Sequence, residues 1–293
     1  MKASAFDYVR ATSIEDALGL LISHGERAKV LSGGQSLLPA MNMRLLAPEL
    51  LIDISGLAEL CGIVVKASVL SIGALTRHVD LLRSPEIAEY APLLRDAVAH
   101  VAHPAIRNRG TIGGSLAQAD PASELPACML TLGATIIIRG PAGERRIAAR
   151  EFFLGIYETA LGSRDLLVAI ELPAAPKGST PFFHEFARRH GDYAIVGLAA
   201  QGVVEDDRFI DLRLGYFAVG DRPLLARVAD ILVGIAITPA ALAEACSALD
   251  DELDPLEDQQ ASSAMRRHLA KVLLTRCTSA LLARPDLCTG AFV

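Results

Sequence analysis

The sequence predicts an α+β protein of two lobes, on three observations. The chain has 293 residues, enough for two compact domains. A cluster of Pro, Gly and Ser at 174–181 lies between two apolar segments, as is typical of a linker. After the linker, strand patterns come first and helical patterns second, the order expected in an α+β domain. We therefore predict one domain at residues 1–176 and another at 177–293.

The first domain is predicted to contain two subdomains, at about 1–56 and 57–176. In the first, Ser13 caps a helix that stops near Gly25, and apolar runs at 28–31 and 50–54 predict buried strands. The second is predicted to hold these elements: a hairpin over 62–75, two helices over 76–102 separated at Ser84–Pro85 and stopped by Pro104, a Gly-rich stretch over 110–126, a hairpin at 134–138 and 145–148, and a strand over 165–172.

The second domain begins with apolar patterns that are typical of strands. They lie at 182–187, 194–204 and 210–219, and helical patterns follow near 223–233, 239–248 and 259–283. Long antiparallel strands followed by covering helices are therefore expected.

Composition and charge exclude several classes of function. The chain has 28 Lys and Arg against 34 Asp and Glu, with no basic run longer than a pair, so nucleic-acid binding is not expected. No apolar stretch approaches the roughly 18 residues that span a bilayer, and the first ten residues lack the features of a signal peptide. We expect a cytoplasmic protein, with the inner face of the membrane as an alternative position.

The five cysteines give no sign of a metal centre. They are widely spaced and form no C-x-x-C pair: Cys61, Cys128, Cys246, Cys277 and Cys288. We interpret them as reduced, mostly buried thiols and predict no metal site. Any iron–sulfur cluster that works with this chain would need ligands from another chain.

The first candidate site is a strand that runs into two consecutive glycines and then into small polar residues. Its members are Lys29, Val30, Leu31, Ser32, Gly33, Gly34, Gln35 and Ser36. Glycines let backbone N–H groups turn toward a phosphate and approach it closely. A bare Gly-Gly pair is equally typical of an ordinary tight turn.

A second Gly-rich segment repeats this pattern and makes a dinucleotide the better interpretation. It contains Thr111, Ile112, Gly113, Gly114 and Ser115, and the acids Asp120 and Glu124 follow it. Two phosphate-binding loops suit the long pyrophosphate-bridged FAD, and the acids can accept hydrogen bonds from its hydroxyl groups. The chain has neither G-x-G-x-x-G nor a nucleotide phosphate loop. We expect Val at Gly33 or Gly114 to abolish FAD retention and to leave the chain folded.

Four segments, in this order, resemble the FAD-binding (medium) subunit of molybdenum hydroxylases, the family of aerobic carbon monoxide dehydrogenase and xanthine dehydrogenase. They are Phe6–Asp7–Tyr8, Leu31–Pro39, Arg107–Pro121 and Arg188–Val196. The resemblance covers nearly the whole chain. It implies a two-subdomain FAD-binding domain of the vanillyl-alcohol oxidase (PCMH) type, closed over by a C-terminal α+β domain.

The resemblance also implies roles for individual residues around a non-covalent FAD. Lys29 to Ser36 would wrap the pyrophosphate, and Thr111 to Ser115 would support the phosphates and the ribityl chain. Glu124 matches a ribityl-binding acid, Leu167 a residue packed near the cofactor, and Tyr193 an aromatic close to the isoalloxazine. From the residues alone, Asp192–Tyr193 equally fits a turn followed by a core aromatic.

The chain departs from the family pattern at three places. Ser115 stands where Asn is common, and His103 where many relatives have Gln or Gly. A Lys that xanthine dehydrogenases carry before the Arg-Arg segment has no counterpart, and Arg188 is a candidate substitute. From the residues alone, His103 is interpreted as a surface or helix-end residue and not as part of the flavin entrance.

The implied function is an electron-transfer subunit with no catalytic residue of its own. A large subunit would carry molybdopterin and a small subunit [2Fe–2S] clusters, in a dimer of heterotrimers. FAD in this chain would pass electrons to a quinone, NAD or oxygen. The substrate is undetermined. A stand-alone oxidase or reductase of the same fold and a cofactor-free assembly or scaffold protein are the alternatives.

Overall fold

The first subdomain is built on a small parallel sheet. The computed structural model describes residues 2–284 and residue 287. The first elements are β1 (Asp7–Arg10), α1 (Ile14–His24), β2 (Ala28–Leu31), α2 (Leu37–Asn42) and β3 (Leu50–Asp53). The strand order is β1-β3-β2, with both pairs parallel. Helix α1 is capped by Ser13 and ends at Gly25, as predicted, and it covers the sheet with Ala17 and Leu21.

The second subdomain is a five-stranded antiparallel sheet covered by short helices. Its strands are β4 (Ile63–Lys66), β5 (Val69–Gly73), β6 (Thr135–Gly140), β7 (Gly143–Ala148) and β10 (Leu166–Leu172), with β8 (Phe153–Gly155) and β9 (Glu158–Thr159) in a separate hairpin. The order in the sheet is β4-β5-β10-β6-β7. The helices are α3 (His78–Arg83), α4 (Pro85–Tyr90), α5 (Pro92–His100), α6 (Pro104–Arg107), α7 (Ile112–Gln118), α8 (Glu124–Thr131) and α9 (Ala149–Phe152).

Two predictions for this subdomain were wrong. Residues 76–102 contain three helices and not two, because the chain also breaks at Ala91 before Pro92, which lacks the N–H that a continuing helix needs. The Gly-rich stretch over 110–126 is not a loop but contains α7 and the start of α8. Pro104 begins the short helix α6 as well as following the end of α5.

The C-terminal part is a four-stranded antiparallel sheet with helices on its outer face. Its elements are β11 (Ser179–Phe186), β12 (Val196–Glu205), β13 (Arg208–Phe217), β14 (Leu224–Leu225), α10 (Ala229–Leu232), α11 (Pro239–Glu252) and α12 (Ser263–Leu281). The prediction of a helix near 223–233 was wrong for the first half of that range, where the chain forms β14 and pairs with β13. The other two helices and the three long strands lie where they were predicted, with shifted ends.

The inner face of this sheet packs on α8, and all eight residues of that helix are buried. Gly215 of β13 makes the close approach possible, since a Cβ there would lie 2.2 Å from Thr131 Oγ1. Thr131 in turn donates to Ala199 O of β12 at 3.0 Å. The C-terminal sheet therefore fixes the helix that begins at Glu124.

The predicted α+β class is confirmed. Strand β10 ends at Leu172, before the predicted linker at 174–181. Strand β11 already begins at Ser179, so the last three positions of the predicted linker belong to a strand and the prediction was wrong there. In the described part of the chain no helix is long and apolar enough to cross a membrane. Cys128 and Cys277 are buried, Cys246 is half-buried and Cys61 is exposed, and none of these four is in a disulfide. Cys288 lies outside the described residues.

Candidate functional site

The Gly33 segment, residues 32–36, joins the end of β2 to the start of α2 and has unpaired backbone donors. Gly34 has φ +72, a conformation that L side chains rarely adopt. Among the described residues, the backbone N–H groups of Gly33, Gly34, Gln35 and Ser36 donate to no acceptor. The Gln35 side chain folds back and donates to Gly33 O at 2.9 Å. Four adjacent unpaired N–H groups around a left-handed residue form the kind of concavity that binds anions.

The second Gly-rich segment, residues 111–115, lacks this property. Ile112 N donates to Thr76 O at 3.0 Å, Gly113 N to Ala74 O at 2.9 Å and Gly114 N to Thr111 Oγ1 at 3.1 Å. These bonds fix the first turn of α7, whose cap is Thr111. The expectation of a second loop with free amides was therefore wrong, because the chain itself satisfies those donors. What remains for a ligand is the hydroxyl groups of this segment.

The two segments are in direct contact. Ser32 Oγ and Thr111 Oγ1 share a hydrogen bond of 3.2 Å. A Cβ at Gly33 would lie 2.4 Å from Arg109 O, and a Cβ at Gly114 would lie 2.9 Å from Ser32 Oγ. Both glycines thus serve the packing of the segments on each other. Val at Gly33 would displace this backbone, so a loss of FAD retention in that variant would not by itself show a direct contact between Gly33 and FAD.

His78 supports the second segment from the interior. Its Nε2 and Ser115 Oγ share a hydrogen bond of 3.0 Å, and a Cβ at Gly110 would lie 3.0 Å from its ring. Burial lowers the pKa of His78 to about 4, so the ring is neutral at physiological pH. Sequence reasoning missed His78, since 37 positions separate it from Ser115 and no local pattern links the two.

The acid Asp120 lies in the turn after α7, and Glu124 is the first residue of α8. Asp120 Oδ1 accepts from Ala122 N at 2.9 Å, and Oδ2 accepts from the Tyr157 hydroxyl at 3.3 Å. Glu124 is 8% exposed. Burial raises its pKa to about 8, and the negative charges of Glu185 and Asp120 add to this effect. Glu124 therefore carries a proton at neutral pH and can both donate to and accept from a hydroxyl group.

A second buried acid, Glu185, faces the same region and was missed by sequence reasoning. Its Oε1 lies 3.5 Å from His100 Nδ1, and its side chain is almost fully buried. The hydrogen bond with Glu185 raises the pKa of His100. The charge that His100 gains when it is protonated lies against Glu185 and offsets only part of the effect of the surroundings on the pKa of Glu124.

Tyr193 lies on the loop 187–194, which is mostly exposed, close to both acids. Loss of solvation raises the pKa of its hydroxyl, as do the negative charges of Asp120 and Glu124. Its side chain is 62% exposed, so it is not the core aromatic that the sequence allowed as an alternative. Asp120, Glu124 and Tyr193 are therefore brought together by the fold.

The loop that carries Tyr193 is held on two sides, by contacts that include His103 and Arg188. A Cβ at Gly191, where φ is +87, would lie 2.7 Å from the His103 ring. Arg188 Nη2 donates to Gln259 O at 2.9 Å. The buried Arg266 donates to Ile195 O just after the loop and to Asp258 at 2.8 Å. His103 and Arg188 are thus packing and anchoring residues of the loop.

The other predicted site residues lie in strands β2 and β10 and at the start of α7. Lys29 is exposed and lines a shallow cavity with Arg27 and Pro48. Val30 and Leu31 belong to strand β2, and Ile112 is fully buried at the start of α7. Leu167 is 5% exposed and lies in the hydrophobic core of the second subdomain. No group of three or more metal-ligating side chains occurs at positions 2–284 or 287.

Comparison with known families matches nearly the whole chain. Residues 4–175 match the FAD binding domain in molybdopterin dehydrogenase. The chain belongs to this family of FAD-binding medium subunits of molybdenum hydroxylases. Residues 181–281 match the CO dehydrogenase flavoprotein C-terminal domain, so the medium subunit has both parts that the resemblance implied. The prediction of an FAD-binding oxidoreductase subunit is confirmed at this level.

Relatives of this medium subunit share its full length. The chain is 38% identical to the 6-hydroxypseudooxynicotine dehydrogenase complex subunit alpha of Paenarthrobacter nicotinovorans, over 97% of each chain. It is 36% identical to the carbon monoxide dehydrogenase medium chain of Afipia carboxidovorans, over 97% of this chain and 99% of the relative. A structure of carbon monoxide dehydrogenase from Hydrogenophaga pseudoflava superposes with a TM-score of 0.94 at 35% identity, covering 97% of this chain and 99% of the other.

Proposed function

We propose that FAD binds without a covalent bond along the contact between the Gly33 segment and the Thr111–Ser115 segment. The observation that carries this proposal is the run of four unpaired N–H groups at Gly33–Ser36. A pyrophosphate is a compact anion, and backbone N–H groups around a left-handed glycine are suited to bind it. No long cationic side chain is needed for such a site.

In this proposal, some of the residues predicted from the sequence contact the cofactor and others support the segments that contact it. Ser32, Gly33, Gly34, Gln35 and Ser36 bind the pyrophosphate, while Lys29, Val30 and Leu31 support that segment from β2. Thr111, Ile112, Gly113, Gly114 and Ser115 form the opposite wall, to which Thr111 and Ser115 contribute hydroxyl groups. Asp120 and the protonated Glu124 form hydrogen bonds with the ribityl hydroxyls. Leu167 packs behind the ring end and Tyr193 contacts the ring. Residues 1–176, with subdomains at about 1–56 and 57–176, form the FAD-binding domain, and 177–293 the second.

Bound FAD would supply the redox chemistry, since a flavin takes up and releases one or two electrons. The residues of this chain orient the cofactor, exclude water from part of it and hold a proton at Glu124. We assign no nucleophile or general base to the chain. Its part in the reaction is electron transfer.

We further propose that the electrons come from a partner and leave to a third molecule. A large subunit would carry molybdopterin and a small subunit the [2Fe–2S] clusters, assembled as a dimer of heterotrimers in the cytoplasm or at the inner face of the membrane. Relatives named as a complex subunit or a medium chain support this arrangement. So does the scatter of the four described cysteines, which do not form a cluster site. The acceptor would be a quinone, NAD or oxygen.

Native purification tests this function. The full chain, tagged and expressed with the genes that flank it, should elute with FAD and with a molybdenum-containing and an iron–sulfur subunit. Mixing the complex with the substrate of its large subunit should bleach the flavin absorbance. A chain that elutes alone, is fully loaded with flavin and turns over a substrate would instead be a stand-alone flavoenzyme.

A further inference from the structure

Tyr157 stands in a position that the proposed function does not use. It lies at the tip of the turn between β8 and β9, with φ 55, in the left-handed region that residues other than glycine rarely adopt. Backbone strain of this kind is often found at functional sites, where the surrounding structure maintains it.

The turn is anchored on the C-terminal part of the molecule. Arg222 Nη1 donates to Leu154 O at 2.9 Å. A Cβ at Gly155 would lie 3.8 Å from Asp221 Oδ2, so the base of the hairpin approaches the same segment. The tip that carries Tyr157 is therefore fixed with respect to both parts of the chain.

The side chain of Tyr157 is directed to the candidate site by a hydrogen bond. Its hydroxyl donates to Asp120 Oδ2 at 3.3 Å. The turn of Asp120 is itself held by the bond from Ala218 N to Pro121 O at 2.8 Å. Asp120 thus ties Tyr157 to the turn that leads into Glu124.

Tyr157 and Tyr193 both present bare aromatic surface in the neighbourhood of Asp120. Their side chains are 56% and 62% exposed. Loss of solvation raises the pKa of both hydroxyls, and the negative charge of Asp120 adds to this effect in each. Among the described residues, neither ring makes an aromatic contact or stacks on a cation. Two uncovered aromatic side chains beside a shared carboxylate are suited to a planar aromatic ligand.

We propose that Tyr157 is a further contact of the flavin ring, which lies against Tyr157 and Tyr193, with Asp120 holding the Tyr157 side chain in place. This inference rests on the proposed function, because it assigns a new residue to the same cofactor. Tyr157 contacts the flavin ring directly, whereas Asp120 affects the flavin ring only by positioning the Tyr157 side chain.

Tyr157→Gly provides the main test, because glycine accepts the left-handed backbone and only the aromatic side chain is lost. FAD is titrated into the flavin-stripped protein, as the full chain or its native complex, and binding is followed by flavin fluorescence and visible circular dichroism. We expect about tenfold weaker binding and an altered dichroism spectrum, with an unfolding temperature no lower than that of the wild type. Tyr157→Phe keeps the ring and should bind within about threefold of the wild type.

Tyr8 provides the matched control. It is 53% exposed and also donates to an aspartate, Asp53, but lies on edge strand β1. Tyr8→Ala should leave FAD affinity and the dichroism spectrum unchanged. Wild-type affinity and spectrum in Tyr157→Gly would overturn the inference while the proposed function stands. A wild-type protein that binds no FAD would overturn the proposed function, and this inference with it.

Discussion

Ser32 Oγ and Thr111 Oγ1 lie 3.2 Å apart, although 79 positions separate the two residues in sequence. Their contact joins the end of a parallel strand in one subdomain to the cap of a helix in the other. Between them the two Gly-rich segments make one surface, with free N–H groups on one side and hydroxyl groups on the other. The junction is therefore structural as well as a candidate binding surface, and the two roles can be separated by mutation.

Thr111→Ala is expected to destabilise the fold by about 1 kcal/mol, the usual cost of losing a helix cap. The hydroxyl accepts from Gly114 N at 3.1 Å and also bonds to Ser32, so both contacts are lost. Urea unfolding measures the effect. Thr111→Ser keeps the oxygen and should be close to the wild type; equal stability of the Ala variant and the wild type would argue against the cap.

His78 is expected to make the protein less stable in mild acid. Because burial holds its pKa at about 4 in the folded chain, against 6.5 as the ordinary value, the unfolded chain binds the proton first as the pH falls. Stability from this residue is complete above pH 6.5 and is lost as the pH falls toward 4, by about 2 kcal/mol at pH 5. His78→Gln should reduce the difference in unfolding free energy between pH 7 and pH 5. His24→Gln, at the end of α1, should not change it.

Glu124 is expected to have the opposite dependence on pH. Its pKa is about 8 in the folded chain against an ordinary value of 4.5, so its contribution is complete below pH 4.5 and is lost as the pH rises through 8. Glu124→Gln, which cannot ionise, should be more stable than the wild type at pH 8 by a few kcal/mol, on the order expected for such a shift.

The same ionisation should weaken FAD binding. As the pH rises through about 8, wild-type affinity should fall, because a carboxylate replaces a neutral donor beside an anionic ligand. Glu124→Gln should show a flatter profile. The exposed acid Glu89 on α4 provides the control, and Glu89→Gln should retain the wild-type profile. An unchanged profile in Glu124→Gln would remove Glu124 from the site.

Arg266 is expected to set the position of the Tyr193 loop. The chain has no Trp, so Tyr193→Trp gives a single fluorescent reporter on that loop. Adding Arg266→Met removes the bonds to Ile195 O and Asp258, and acrylamide should then quench the reporter more strongly. Lys271→Met, which removes an ion pair with Asp250 from the same helix, is the matched control. Equal quenching in both double variants would show that the loop keeps its position without Arg266.

Much of the fold could be predicted from the sequence, because local signals coincide with the final structure. Ser13 and Gly25 mark the ends of α1, and apolar runs mark the buried strands β2 and β3. The predictions failed where tertiary contacts override local preference. Helix α7 contains Gly113 and Gly114, which are poor helix formers, and it is fixed by acceptors at Ala74 and Thr76 in a distant segment.

The candidate site could be predicted only in part, for the same reason. Glycines at 33 and 34 indicate a close backbone approach, but the sequence does not tell whether a ligand or another segment makes that approach. At Gly33 the segment that approaches is the backbone of Arg109. His78, Glu185 and Tyr157 could not be found from the sequence. Each is linked to the site only through a residue more than thirty positions away.

FAD affinity of Gly34→Asp tests the central claim most directly. The aspartate adds a negative charge among the unpaired N–H groups of residues 33–36, whereas Gly25→Asp adds the same side chain to another left-handed glycine with open space around it. Titrated with FAD, Gly34→Asp should bind more than about tenfold more weakly than the wild type, and Gly25→Asp should bind like the wild type. If Gly34→Asp binds FAD as tightly as Gly25→Asp, the pyrophosphate does not lie on this segment.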